Sequence, residues 1–89
     1  MLSQKITISN RLGLHARAAA KLVSCASAFA SSVKIGPATE LVDAKSIMAV
    51  MMLAAGRGTE LELEIDGSDE TEALKAILTL IDNRFDEDE

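Results

Sequence analysis

The chain has a single histidine, His15, which stands immediately before a run of residues with helical periodicity. From Ala16 to Ala30, apolar residues recur at intervals of three and four, which predicts an amphipathic helix that begins near Ala16. His15 is then a candidate N-cap. The first N–H groups of a helix lack intrahelical acceptors, and the helix dipole adds partial positive charge there. This position favours an anion and disfavours imidazolium, so we expect a neutral, nucleophilic imidazole.

The residues that follow His15 suit a phosphoryl group attached to its ring. Such a group would meet the free backbone amides of Ala16 and Arg17, and the Arg17 guanidinium is available for charge-assisted hydrogen bonds. Nucleophile, anion site and counter-charge therefore lie close together in the sequence. The alternative is an ordinary surface or turn histidine, which is the commoner case in a small domain.

Ser46 precedes a second apolar run, from Ile47 to Ala55, which predicts a short helix with Gly56 suited to the position after its end. Serine is a preferred N-cap, and a phosphate is also tolerated at a helix N-terminus, so Ser46 is a candidate regulatory phosphorylation site. The helix is apolar on nearly all sides, so part of it should be exposed. For Ile47, Met48 and Met52, core filling and an adaptable docking surface both remain open.

Cys25 is the only cysteine, which excludes an intrachain disulfide and a Cys-rich metal site. We expect it to pack as a small apolar residue, and we expect neither a metal nor a cofactor. The 89 residues suit one domain spanning 1–89, and 48% hydrophobic residues exclude a disordered chain. No stretch is apolar enough to cross a bilayer and no signal peptide is evident, so we expect a cytoplasmic protein without membrane insertion.

The net charge of −5 is unevenly distributed along the chain. Residues 1–45 carry six basic and two acidic side chains, whereas residues 46–89 carry three and twelve. Four of the acids form the end of the chain, residues 86–89, which we predict to be a solvated, frayed tail. The positive surface around His15 suits phosphate chemistry and an acidic protein partner. Nucleic-acid binding is not expected, because basic runs with interleaved aromatic residues are absent.

Periodicity predicts four strands and three helices in the order β-α-β-β-α-β-α. The segments 2–9, 33–35, 40–43 and 59–65 are the strands, and a last helix capped by Ser68 carries an apolar stripe as far as Phe85. Each strand has one apolar face, which indicates an α+β fold with an antiparallel or mixed sheet and its helices on one side. The pattern alone leaves the strand order open.

Three separated motifs carry a family resemblance. Gly13-Leu14-His15-Ala16-Arg17, Lys45-Ser46-Ile47-Met48 and Gly56-Arg57-Gly58-Thr59 closely resemble the HPr family, the histidine-containing phosphocarriers of the bacterial phosphoenolpyruvate-dependent sugar phosphotransferase system. The resemblance extends from Lys5 to about Phe85. It implies a two-layer, open-faced β-sandwich with an antiparallel sheet in the order 1-4-2-3.

The resemblance also implies a function. His15 would accept a phosphoryl group on Nδ1 from enzyme I and pass it to enzyme II components, including enzyme II A, so that the protein is a carrier and not a turnover enzyme. We expect a monomer whose Ser46 is a target for an ATP-dependent serine kinase/phosphorylase. The positions expected to dock partners are Ala20, Lys21, Ile47, Met48 and Met51.

Two departures from the family pattern stand out. Ala18 replaces a proline that many HPr proteins have, and Ser24 and Ser27 replace lysines of enteric relatives. A carrier of the nitrogen-related phosphotransferase branch is therefore a second hypothesis. A ferredoxin-like ligand-binding regulatory module is a third, from a different class, and it predicts no covalent phosphate on His15.

Overall fold

The structure, a computed structural model, describes residues 1–87. Four strands form one antiparallel sheet in the order β1-β4-β2-β3. They are β1 (Leu2–Thr7), β2 (Ser32–Gly36), β3 (Val42–Asp43) and β4 (Glu60–Asp66). The three helices are α1 (Ala16–Ser27), α2 (Ile47–Met52) and α3 (Glu70–Asp82). The fold and the strand order implied by the family resemblance are confirmed.

Strand β4 lies at the centre of the sheet, between β1 and β2. Its apolar residues Leu61, Leu63 and Ile65 are buried, while the alternating glutamates stay partly or fully exposed. Because side chains of a strand alternate between its two faces, this pattern directs one face to the helices and the other to water. The hydrophobic core lies between that face and the helices. Its largest fully buried apolar side chains are Phe85, Ile8, Leu22, Ile35, Leu63, Ile65, Ile77, Val33 and Val50.

Helix α2 is shorter than the apolar run predicts. It ends at Met52, and Ala54 adopts a left-handed conformation with φ of 51° just beyond the C-cap Leu53. The expected role of Gly56 as the residue after the helix end is therefore wrong. Similarly, the N-cap of α3 is Asp69 and not Ser68.

The chain after α3 forms a 3₁₀ turn, Arg84–Asp86, in which all three residues have positive φ (54°, 54° and 63°). Left-handed backbone costs about 1–2 kcal/mol per non-glycine residue. Burial of an aromatic side chain returns about 1.5–3 kcal/mol, and Phe85 at the centre of the turn is fully buried. Three such residues cost about 3–6 kcal/mol in total, so burial of Phe85 offsets roughly half of this backbone cost.

This C-terminal turn also corrects the prediction of a frayed acidic tail from residue 86. The Asp86 carboxylate accepts a hydrogen bond from Lys21 Nζ at 3.2 Å, and Glu87 binds the Asn10 and His15 side chains. The burial of Phe85 brings both acids back against the start of α1. Residues 88 and 89, also predicted to be frayed, lie outside the described residues.

Within the described chain, no helix reaches the length and apolar character that crossing a bilayer requires.

Candidate functional site

A tight loop fixes the entry into α1. The Gly13 N–H donates to Asn10 O at 3.2 Å, and the Leu14 N–H donates to Ala55 O at 2.8 Å, so the loop is joined to the segment that follows α2. Gly13 has φ of +68°, and a Cβ there would lie 2.7 Å from Gly56 Cα. Only glycine satisfies both demands, which explains why a glycine stands two residues before the histidine.

His15 is the N-cap of α1, as the sequence predicts. Its backbone is extended (φ −74°, ψ 178°), its carbonyl accepts from the Ala19 N–H at 2.8 Å, and its side chain makes no cap hydrogen bond. The backbone N–H groups of Ala16 and Arg17 have no acceptor among residues 1–87. The helix start therefore keeps amides available for an anion beside a ring whose side chain is 29% exposed.

Glu87 is the residue that sequence reasoning missed. Its Oε2 is hydrogen-bonded to His15 Nε2, and its Oε1 accepts a hydrogen bond from Asn10 Nδ2 at 2.8 Å. The hydrogen bond from Asn10, followed by the one from His15, holds the pKa of the Glu87 carboxyl below its usual value, against the opposing effect of desolvation. Glu87 is thus a carboxylate at neutral pH.

Arg17 lies at the edge of this group. Its Nε is 4.0 Å from Glu87 Oε2, and its side chain is 65% exposed. The guanidinium therefore approaches the same carboxylate oxygen that His15 Nε2 contacts, while most of its side chain is exposed to solvent. The structure brings together the two candidate catalytic residues and adds Glu87 and Asn10 to them.

Helix α2 presents an apolar surface next to α1. Met48 and Met52 are 67% and 80% exposed, and Ile47 and Met51 are each 39% exposed. Val50 alone in the helix is fully buried, so the possibility that Ile47, Met48 and Met52 fill the core is excluded. Of the other candidate docking positions, Ala20 is exposed, and Lys21 is half-buried and bound to Asp86.

Ser46 caps α2, because its hydroxyl accepts a hydrogen bond from the Ala49 N–H at 3.3 Å.

Cys25 is half-buried and packs against the core, as expected, and burial raises the pKa of its thiol. In the described part of the chain, no group of three or more His, Cys, Asp or Glu side chains is placed to hold a metal ion.

Comparison with known proteins gives a consistent result. A family model described as the PTS HPr component phosphorylation site matches residues 2–83. The chain is 58% identical to the phosphocarrier proteins HPr of Pseudomonas aeruginosa, over 90 residues, and of Cupriavidus necator, over 89 residues, with 100% of each chain covered. The crystal structure of HPr-C-His from Thermoanaerobacter tengcongensis is similar with a TM-score of 0.95 and 42% identity, and 100% of both chains is covered.

Proposed function

Since the chain belongs to the HPr family of phosphocarrier proteins of the phosphotransferase system, we propose that His15 accepts a phosphoryl group from enzyme I and passes it to enzyme II components. The observation that carries this proposal is the position of His15. Its ring is partly exposed at the N-terminus of α1, beside the first amides of that helix and the Arg17 guanidinium.

Transfer requires an in-line approach and charge stabilisation more than it requires covalent chemistry from the carrier. A ring nitrogen of His15 forms a bond to phosphorus while the bond to the donor side chain breaks, with its electron pair staying on the donor. The amides of Ala16 and Arg17 receive the phosphoryl oxygens, and the Arg17 side chain adds positive charge. The partner proteins complete the site, so that this chain is a covalent carrier between them.

The exposed face of α2 is proposed as the place where partners dock. Ile47, Met48 and Met51 give an adaptable apolar surface, and Ala20 and Lys21 extend it along α1. Ser46 lies at the start of the same helix, so a phosphate added there by an ATP-dependent serine kinase would place negative charge beside the docking face.

The test is incubation of the purified protein with phosphoenolpyruvate and enzyme I. We expect one phosphate that is labile in acid and stable in alkali, as a phosphohistidine is. His15→Ala should take up none. Arg17→Ala should slow the uptake by about tenfold or more, because it removes a charge-assisted hydrogen bond to the transferred group.

Lys34→Ala is the matched control for Arg17→Ala. Lys34 is exposed on β2 between the buried Val33 and Ile35, so its side chain lies on the face of the sheet that is turned away from the helices. The substitution removes the same charge and should leave the rate unchanged. Normal labelling of His15→Ala would reject the proposed function.

A further inference from the structure

We infer that Glu87 is a positioning residue that holds the His15 ring with its proton on Nε2 and so leaves Nδ1 as the attacking nitrogen. The inference rests on the proposed function, and it adds a residue to the transfer site from the far end of the chain. Its basis is the hydrogen bond between His15 Nε2 and Glu87 Oε2.

The chemistry of the two groups places the proton. An ionised carboxylate can only accept hydrogen bonds, so the ring nitrogen that faces it must donate. A neutral imidazole has one N–H, and the hydrogen bond made by one nitrogen decides the state of the other. In the neutral form that attack on phosphorus requires, Nδ1 therefore keeps its in-plane lone pair. It makes no cap hydrogen bond to the first turn of α1, and no partner for it is found among residues 1–87.

A chain of hydrogen bonds fixes the carboxylate itself. Asn10 is fully buried, and its Nδ2 donates to Gly13 O at 2.7 Å and to Glu87 Oε1 at 2.8 Å. Because the Gly13 carbonyl can only accept, the Asn10 atom that faces it must be the amide nitrogen. Oε1 is thus committed to Asn10, and Oε2 is the oxygen left for His15. The buried Phe85, two residues earlier, anchors this arrangement to the core.

The transfer step balances with Glu87 in this role. The Nδ1 lone pair forms the bond to phosphorus, and the donor nitrogen or oxygen keeps the electron pair of the bond that breaks. The Nε2 proton stays on the ring, which gains positive charge beside the Glu87 carboxylate. In the onward step the N–P bond breaks, its electron pair returns to Nδ1, and a neutral imidazole is released. No proton has to leave or arrive in either direction.

Glu87→Gln tests the inference sharply, because the geometry of Asn10 dictates how the new amide must lie. The carbonyl oxygen of the substituted side chain would face the Asn10 donor, which turns its NH₂ group toward His15 Nε2. Nε2 would then have to accept, and the ring proton would move to Nδ1. Glu87→Ala instead leaves Nε2 without a partner, so the ring is free to take either form.

Asp86→Asn is the matched control. It makes the same change from carboxylate to amide one residue earlier, but Asp86 contacts Lys21 and not the ring. Asparagine also tolerates the left-handed conformation of this position, where φ is 63°.

Two measurements on each variant decide the matter. The ¹⁵N chemical shifts of the His15 ring report which nitrogen carries the proton, and they need no partner protein. Phosphoryl uptake from enzyme I and phosphoenolpyruvate reports the consequence. We expect the proton on Nε2 in the unaltered protein and in Asp86→Asn, and on Nδ1 in Glu87→Gln. Glu87→Gln should lose about ten- to a hundredfold in rate, as is typical when the group that orients a functional histidine is altered, and Glu87→Ala should lose less.

A ring proton on Nδ1 in the unaltered protein would overturn the inference. Equal losses in Glu87→Ala and Glu87→Gln would also overturn it, because they would indicate an effect of charge or of tail contacts alone. If His15→Ala takes up no phosphate while Glu87→Gln transfers normally, the role of Glu87 is wrong and the proposed function stands. If His15→Ala is labelled normally, the proposed function itself fails.

Discussion

Asn10 shows how much one buried polar residue can organise. Both of its described hydrogen bonds are donated by Nδ2, and its Oδ1 is buried without a partner among residues 1–87. An unpaired buried oxygen costs about 1–3 kcal/mol. The fold tolerates this cost at a position that joins the loop before His15 to the Glu87 carboxylate, which contacts the His15 ring. Asn10 therefore contributes to the site through the two hydrogen bonds that its Nδ2 donates.

Single residues also mark the limit of sequence reasoning at the site. His15, Arg17 and Ser46 could be proposed from the sequence because the helix starts at which they stand are marked by neighbours within one helical turn. Glu87 could not, because it lies 72 residues from His15 and belongs to an acidic run that looks like a solvated tail. Local patterns carry no information on such distant pairing. The only available signal was the opposite charge of the two halves of the chain.

Ser46 offers a test in which stability and transfer should separate. Ser46→Ala removes the side-chain acceptor of the Ala49 N–H and should lower the free energy of unfolding by about 1 kcal/mol, measured by urea denaturation. Ser46→Asp keeps an acceptor and should remain stable. Its negative charge beside the docking face should nevertheless slow phosphoryl transfer, whereas Ser46→Ala should transfer normally. Equal transfer rates in the two variants would indicate that Ser46 is a helix cap alone.

At the scale of elements, α2 is unusual for a surface helix. Its six residues are all apolar, and it buries only Val50 completely. A helix this short contributes little stability of its own, so it depends on packing against its neighbours, which include α1 and β3. The methionines at its surface are flexible and polarisable, which suits contact with partners of different shape.

Met48→Asp tests the docking face directly. Met48 is 67% exposed, so the substitution should change the free energy of unfolding by no more than about 0.5 kcal/mol. It should weaken transfer by placing a charge where an apolar contact is proposed. The measurements are thermal unfolding and the dependence of the transfer rate on enzyme I concentration.

Thr71→Asp is the control for Met48→Asp. Thr71 is exposed in the first turn of α3, where an added acid favours the helix dipole. It introduces the same charge away from α2 and should transfer like the unaltered protein. Unchanged transfer in Met48→Asp would remove this face from the proposal.

The existence and type of every predicted strand and helix followed from periodicity, but several boundaries did not. Apolar residues alternate in β4 and recur with helical spacing in α1 and α3, so these elements were predictable. The end of α2 was not, because Ala54 takes a left-handed conformation that glycine would be expected to supply. The cap of α3 was also missed, because the Asp69 side chain is used in tertiary contacts.

At the scale of the whole molecule, Asp69 joins two distant parts of the chain. Its carboxylate accepts hydrogen bonds from the N–H groups of Ala30 and Ser31, both at 2.9 Å, and from the Ser31 hydroxyl. The start of α3 is thereby tied to the segment that enters β2. The hydrogen bond from the Ser31 side chain, followed by that from the Ala30 amide, lowers the pKa of Asp69 below its usual value.

This lowered pKa predicts how stability depends on pH. A group whose pKa is lower in the folded state contributes stability above its unfolded pKa and loses it as pH falls through the folded value. Unfolding of the unaltered protein should therefore become easier below about pH 4, with part of the slope due to Asp69. Asp69→Asn should be less stable at neutral pH and should show a shallower acid dependence in urea titrations.

Asp82→Asn, which alters an exposed carboxyl at the other end of α3, is the control and should keep the acid slope of the unaltered protein. Parallel curves for Asp69→Asn and the unaltered protein would show that Asp69 does not contribute.

The layered α+β architecture could be predicted from the strand faces, because each strand had one apolar side to cover. The strand order could not, since neighbouring positions in a sheet depend on long-range packing that alternation does not encode. It came from the family resemblance, and the observed order β1-β4-β2-β3 agrees with it.

The segment from Phe85 to Glu87 has two roles. Phe85 closes the hydrophobic core, and two residues later Glu87 touches the ring that is proposed to take the phosphoryl group. Truncation of the chain before Phe85 would therefore remove residues that the fold uses. It would remove Phe85 from the core and Glu87 from the His15 ring at the same time. A folding defect and a chemical defect would then appear together, so only single substitutions can distinguish them.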